Sequence, residues 1–356
     1  MNAAGRGELW GRLVDAGIVA GDLPEDAGDM TPWYVRAMIG TAAWIAALFL
    51  VLSIGIGLAE LLKNPMATGV AGLIICAAAI ALMRASPSGV FASQLALAGS
   101  LAGQALVAYA LFDSAPRSEL VPWLWLGAFE LVLVVVAANY LHRVLSTLGV
   151  AVAASFALVA VGWWSLFPAL VTAGFVAVQL NEARLASRGS LWQPIATGLA
   201  IAAVISASEA MFGPGEIGLW GIHRAMAAPP WVGTAAIVGV LIATVWALLR
   251  DAGVPAGSKV AIATWLAVVA LAAAAWPVPG LTVALIVMLV AFATGHTALM
   301  GFAILAMLGA LGHYYYSLQA TLLVKSGALL VTGLVLLAFR GALHWFASRV
   351  EGGEHA

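Results

Sequence analysis

The chain has 356 residues, of which 63% are hydrophobic and only 9% are charged. A soluble globular domain carries about 25% charged residues, so this composition excludes an ordinary soluble protein. The net charge of −1 excludes a basic surface for nucleic acid. A single cysteine, Cys76, excludes a disulfide framework and a cysteine-based metal site. We therefore expect the lipid bilayer to be the partner that covers most of the chain.

Three segments follow from the distribution of polar residues. Residues 1–32 are polar and acidic, and they predict a short cytoplasmic head with an amphipathic helix over about residues 7–18, followed by an acidic linker. Residues 33–345 consist of long apolar runs rich in Ala, Leu and Val, which favour helices over a barrel. Residues 346–356 form a cytoplasmic tail.

The apolar runs predict an all-α, polytopic transmembrane helix bundle. One helix crosses roughly 30 Å of hydrocarbon with about 20 residues. Neighbouring runs nearly fuse around residues 139–142, 161–164 and 296–298, so about 10–12 spans fit the pattern and twelve fit it best. The twelve predicted spans cover residues 36–60, 66–84, 89–112, 120–139, 142–161, 164–183, 191–212, 231–250, 258–276, 279–296, 298–315 and 320–340.

The positions of Lys and Arg predict the orientation. Positive residues accumulate on the cytoplasmic side of a membrane protein. With a cytoplasmic N-terminus, 11 of the 15 basic residues lie inside, and both termini are predicted to be cytoplasmic. The four basic residues on the outer side are Lys63, Arg117, Arg224 and Lys325.

One carboxylate lies near the middle of the fourth predicted span. A charged Glu130 at that depth costs about 2.5–3.5 kcal/mol or more unless it is paired, hydrated or protonated. Glu130 is therefore a candidate for a proton or ion relay, and the alternative is a protonated glutamic acid that bonds to a neighbouring helix. Glu209 lies near the outer end of its span, as an interfacial cap or a partner of Lys325.

The third predicted span combines small and polar residues. Gly99 and Gly103 form a GxxxG pattern, which allows the backbone of another helix to approach closely. Gln104 follows directly and is placed to reach across that contact. The alternative to a role in the relay is a hydrogen bond that only stabilises helix packing.

A polar cluster lies at the C-terminal end of the apolar region. A turn near residues 318–319 divides it between the last two spans. Lys325 either extends to the outer headgroups above a belt of tyrosines, or it faces the bundle interior and pairs with a carboxylate. The cluster consists of Tyr314, Tyr315, Tyr316, Ser317, Thr321, Lys325, Ser326 and Arg340.

This C-terminal pattern resembles the signature of a bacterial membrane family known as domain of unknown function 4401. The resemblance implies a multispanning protein of the bacterial inner membrane. It also implies a candidate partner, a smaller membrane-anchored protein with a Gly-Asp-Tyr motif. No Gly-Asp-Tyr run occurs in this chain, so such a partner would be a separate protein. The resemblance supplies neither a substrate nor catalytic residues.

Motifs of catalysis, cofactors and metals are not found in the sequence, and the six histidines show no helical ligand spacing. We therefore expect no enzyme activity and no cofactor. The working hypothesis is a transport-like or channel-like protein with a polar relay that includes Glu130, Lys325, Gln104 and Glu209. The alternative is a non-catalytic membrane scaffold that binds a partner protein or lipid headgroups at its outer face.

Overall fold

The structure, a computed structural model, describes most of the apolar region. The described residues are 3–17, 21, scattered positions between 34 and 49, 63–85, 90–115, 120–216 and 229–317, with the backbone alone at 3–7, 9, 90, 209–216 and 317. Throughout these residues the regular structure is helical, and no β-strand occurs among them. The predicted all-α class is therefore confirmed.

A short helix in the N-terminal head precedes a series of apolar helices. These helices coincide with the second to eleventh predicted spans, whereas the first is described only at scattered positions and the twelfth lies outside the described residues. The helices are α1 (Ala3–Asp15), α2 (Pro65–Ala85), α3 (Val90–Ser114), α4 (Val121–Val136), α5 (Tyr140–Ala160), α6 (Phe167–Leu180), α7 (Gly189–Glu216), α8 (Pro230–Asp251), α9 (Lys259–Ala275), α10 (Pro279–Thr294) and α11 (Thr297–Ser317).

Within the described part, six helices are long and apolar enough to cross a membrane. They are Pro65–Ala85, Phe91–Ser114, Tyr140–Ala160, Glu182–Ser208, Pro230–Asp251 and Thr297–Tyr316. The other apolar helices have 10–17 residues. At about 1.5 Å per residue, 17 residues rise about 26 Å, which is less than the roughly 30 Å of a hydrocarbon core. The prediction of an all-helical protein with membrane-spanning helices is thus supported by six candidate spans among the described residues.

Short connections make successive helices antiparallel, as in the contacting pairs of α2 with α3, α4 with α5 and α10 with α11. Among the described residues, the largest core draws on every helix from α5 to α11. The 16-residue α10 is enclosed there, since Val283, Ile286, Val287 and Val290 are fully buried. Protein atoms rather than lipid therefore cover much of this shorter helix.

Basic side chains form hydrogen bonds between the ends of several helices. Arg84 donates from Nη2 to the Val136 carbonyl at 2.9 Å, and Arg143 donates from Nη1 to the Ser190 carbonyl at 2.7 Å. These bonds bring the adjoining ends of α2, α4, α5 and α7 to the same end of the bundle. The alternating helix directions place the connections after α8 and α10 there as well. We call this end the basic end, since it carries Arg84, Arg143, Arg184, Arg188, Arg250 and Lys259.

Candidate functional site

The antiparallel pair of α4 and α5 encloses Glu130. This residue is only 4% exposed, and its Oε2 atom has no hydrogen-bond partner among the described residues. Ser146, on α5, lies beside the carboxyl group. A Cβ atom added to Gly149 would stand 2.9 Å from Cγ and Cδ of Glu130 and 3.1 Å from its Oε2. The carboxyl group is therefore packed directly against the backbone of α5.

A series of polar side chains continues from Ser146 into the α2–α3 pair. The Ser146 hydroxyl lies 3.5 Å from Nδ1 of His142, and Nε2 of His142 lies 2.7 Å from the Ser100 hydroxyl. Gln104 then donates from Nε2 to the Ser100 hydroxyl at 3.4 Å. Ser100, His142 and Ser146 are all at most 1% exposed. We call the series Gln104–Ser100–His142–Ser146–Glu130 the buried polar chain.

Hydrogen-bond chemistry allows one continuous direction along the buried polar chain. Gln104 can only donate through its amide nitrogen, so the Ser100 hydroxyl accepts there and its own proton can go to Nε2 of His142. The neutral imidazole then carries its proton on Nδ1 and donates to Ser146. The Ser146 hydroxyl can in turn donate its proton to the adjacent Glu130 carboxyl group. In this direction each of the three middle residues gives one proton and accepts one, which is the arrangement that proton relay requires.

Helix spacing builds this arrangement from two local patterns. His142, Ser146 and Gly149 recur at intervals of four and three, so they share one face of α5, and Ser100 and Gln104 are four residues apart on α3. Asn139 caps α5, since its Oδ1 accepts the backbone N–H of His142 at 3.1 Å. The cap holds the first turn of α5, and with it the imidazole.

A close crossing of α2 and α3 positions Ser100. A Cβ atom at Gly103 would stand 2.6 Å from the Cys76 sulfur and 2.7 Å from the Gly72 carbonyl oxygen. The Cys76 thiol donates to the Ser100 carbonyl at 3.4 Å. Gly99 differs, because a Cβ there would meet no described atom within 4 Å. The close approach therefore involves Gly103 and Gly72 rather than both glycines of the GxxxG pattern.

The structure brings together two of the four predicted relay residues. Glu130 and Gln104 lie at opposite ends of the buried polar chain, 26 positions apart in sequence. The predicted relay did not include Ser100, His142 and Ser146, which connect them. The spacing of His142, Ser146 and Gly149 on one face of α5 was the sequence signal for this connection.

The remaining predicted site residues lie at or beyond the limits of the described part. The backbone of Glu209 belongs to α7, and its side chain is outside the described residues. Tyr314–Tyr316 lie in the last turn of α11, where the rings of Tyr315 and Tyr316 meet edge to face at 5.5 Å. Ser317 ends that helix. The other members of the C-terminal cluster, Thr321, Lys325, Ser326 and Arg340, lie outside the described residues.

A second group of polar side chains surrounds Glu182 at the basic end. Its Oε2 atom accepts from Nε2 of His296 at 2.9 Å and from Nε2 of Gln179 at 3.0 Å. Its Oε1 atom accepts from Nε2 of Gln193 at 3.4 Å. Beside this group an open cleft of about 340 Å³ lies among the ends of α5, α6, α7 and α11. The group joins the α6–α7 connection to the α10–α11 connection.

Among the described residues, no three His, Cys, Asp or Glu side chains are grouped so that they could hold a metal ion. The apolar helices and the enclosed polar chain define a helical membrane protein. The chain matches the family model described as domain of unknown function (DUF4401) over residues 32–345, so it belongs to that family, as its C-terminal pattern predicted. Comparisons with curated proteins and with solved structures find no match.

Proposed function

We propose that the chain is a transport-like or channel-like protein of the bacterial inner membrane that moves protons through the buried polar chain. In this proposal it has twelve spans with both termini in the cytoplasm. The observation that carries the proposal is the Glu130 carboxyl group, which is buried beside Ser146 with one oxygen atom unpaired among the described residues. Ser146 connects it to His142 and Ser100.

The free-energy cost of Glu130 supports a functional role. An ionisable group within a membrane costs about 2.5–3.5 kcal/mol or more, and such groups line proton and ion pathways in membrane proteins. A glutamate that only joined two helices would have both oxygens paired, because an unpaired buried acceptor costs about 1–3 kcal/mol. An unpaired oxygen fits a group that gains and loses a proton.

Proton flux tests this proposal. The full chain is reconstituted into liposomes, and a pH-sensitive dye inside reports acidification under an imposed pH gradient. Glu130→Gln retains the shape of the side chain and removes the exchangeable proton, so we expect flux to fall to the level of empty liposomes. Lys325→Met should do the same if Lys325 faces the interior as the far end of the relay.

A matched control variant distinguishes the loss of the proton relay from a general loss of folding. Thr172 is a fully buried polar residue of α6 whose hydroxyl donates to the Pro168 carbonyl at 2.6 Å. Thr172→Val removes a buried hydroxyl outside the buried polar chain and should leave flux unchanged. Wild-type flux in both Glu130→Gln and Lys325→Met would refute the relay.

The scaffold remains a second candidate because the tyrosines near the end of α11 are accessible. Tyr316 is 83% exposed, and the ring of Tyr315 meets it edge to face. In this alternative the outer end of the bundle binds a separate membrane-anchored protein with a Gly-Asp-Tyr motif. Such a partner should co-purify in about equal amounts with the wild type and be lost in Tyr316→Ala. That result, together with no flux in the wild type, would favour the scaffold.

A further inference from the structure

The open cleft at the basic end has a polar part in which most side-chain N–H and O–H groups already have acceptors. When Thr197 donates its hydroxyl proton to the Gln193 carbonyl at 3.1 Å, the Tyr140 hydroxyl, 2.8 Å from Thr197 Oγ1, is the donor of that pair. The side-chain nitrogens of Gln179 and Gln193 donate to Glu182. All of these residues except Glu182 line the cleft.

One N–H of Gln193 is left over, and the other groups left over are acceptors. The Tyr140 oxygen retains a lone pair, and the side-chain oxygens of Gln179 and Gln193 have no hydrogen bond to any described residue. His296 also lines the cleft, and its Nε2 is engaged with Glu182. The carboxylate of Glu182 adds a negative charge directly behind this lining. No Lys or Arg is among the described lining residues. The polar part is therefore suited to a cationic hydrogen-bond donor.

The other part of the cleft is apolar and lies further along the helices. Ile201 is one turn beyond Thr197 on α7, and Leu299 and Phe302 follow His296 along α11. Because these helices begin at the basic end, their later residues lie deeper in the bundle. The cleft thus changes from polar at the end of the bundle to apolar toward its middle. A membrane lipid changes from a polar headgroup to an apolar acyl chain in the same direction along the membrane normal.

We infer that this cleft binds a phospholipid with a primary ammonium headgroup, whose N–H groups donate to Tyr140, Gln179 and Gln193 while its acyl chain follows Leu299 and Phe302. A cavity of about 340 Å³ is within the usual size of ligand sites and accommodates the headgroup end of such a lipid. The site is separate from the buried polar chain. Tyr140 and His142 are two positions apart on α5, which turns them to opposite sides of that helix.

Native mass spectrometry of the full chain in detergent tests the inference. The delipidated protein is offered equal amounts of phosphatidylethanolamine, phosphatidylcholine and phosphatidylglycerol with identical acyl chains. Phosphatidylcholine retains the positive charge but has methyl groups in place of the N–H donors. We expect one retained phosphatidylethanolamine, favoured about a hundredfold over phosphatidylcholine, because three hydrogen bonds are lost and each is equivalent to about fivefold in retention. Equal retention of the two lipids would overturn the hydrogen-bonding argument.

Matched variants locate the lipid. Tyr140→Phe removes one acceptor and should lower phosphatidylethanolamine retention about fivefold, the equivalent of about 1 kcal/mol. Tyr109→Phe on α3 is the control, since Tyr109 is 45% exposed and Tyr140 is 51% exposed. Ala298→Trp adds bulk to the lining and should abolish retention, whereas Ala263→Trp on α9 should not. Unchanged retention in both cleft variants would overturn the location.

A competition experiment separates a lipid from a free amine. Ethanolamine presents the same ammonium group without acyl chains, so it should displace phosphatidylethanolamine only at a large molar excess. Displacement at an equal concentration would overturn the assignment of a lipid.

Discussion

Gly149 offers a direct test of how Glu130 is packed. In Gly149→Ala the new methyl carbon would stand 2.9 Å from both Cγ and Cδ of Glu130, closer than carbon atoms approach without displacement. The carboxyl group must then move away from Ser146. Overpacking of this kind costs about 1–3 kcal/mol. Replacing a helical glycine by alanine gains about 1 kcal/mol, so we expect a net loss of about 0–2 kcal/mol in the free energy of unfolding.

A double-mutant cycle isolates the contact. In a Glu130→Ala background the methyl group meets no carboxyl group, so Gly149→Ala should stabilise the protein by about 1 kcal/mol. The coupling free energy between the two positions is then about 1–3 kcal/mol. Gly239→Ala on α8 is the control, because a Cβ there would meet no described atom within 4 Å. It should stabilise the wild type and the Glu130→Ala variant equally.

Equilibrium unfolding in mixed micelles measures these free energies. The protein is titrated with sodium dodecyl sulfate and its helical content is followed by circular dichroism. If Gly149→Ala stabilised the wild type as much as Gly239→Ala does, the described contact between Gly149 and Glu130 would be refuted. A coupling free energy of zero would have the same consequence.

Two further predictions use the same unfolding assay. Gly103→Ala should destabilise the protein by about 1–3 kcal/mol, because the new methyl group would stand 2.6 Å from the Cys76 sulfur, whereas Gly99→Ala should be neutral or stabilising. Equal effects at the two glycines would contradict the described crossing of α2 and α3. Ser258 caps α9 by accepting the backbone N–H of Ala261 at 3.1 Å, so Ser258→Ala should cost about 1 kcal/mol and Ser258→Asp should cost less. No difference between these two variants would argue against the cap.

Helix positions were readable from the sequence because a helix in lipid must satisfy its own backbone hydrogen bonds. The predicted span 231–250 is observed as Pro230–Asp251, and the span 258–276 as Lys259–Ala275. Local chemistry marks the ends, as where Ser258 caps α9 and where Gly295, at φ 74°, ends α10. The shorter α4 was not expected, because its apolar run continues to Ala138 while the backbone already becomes extended at Ala137.

The contacts within the candidate site were harder to predict from the sequence than the helix positions. The depth of Glu130 in an apolar run marked it as costly, and that required no structure. The contact of His142 with Ser100 could not be predicted in this way, since Ser100 lies 42 positions away on another helix. Spacing along one chain assigns residues to faces of a helix, but it does not determine which faces meet.

The sequence by itself determined that lipid surrounds the helices, that the protein is helical and that it belongs to its family. All three depend on composition, local hydrogen bonding or a linear pattern. Only the tertiary structure decided which polar groups share an interior. Small residues permit that arrangement, with Gly103 beside Cys76 and Gly149 beside Glu130. Close helix contacts place Ser100, His142 and Ser146 between Gln104 and Glu130, and they leave a cleft beside Glu182 at the basic end. Such contacts depend on which helices pack together, and that choice is made by the whole bundle.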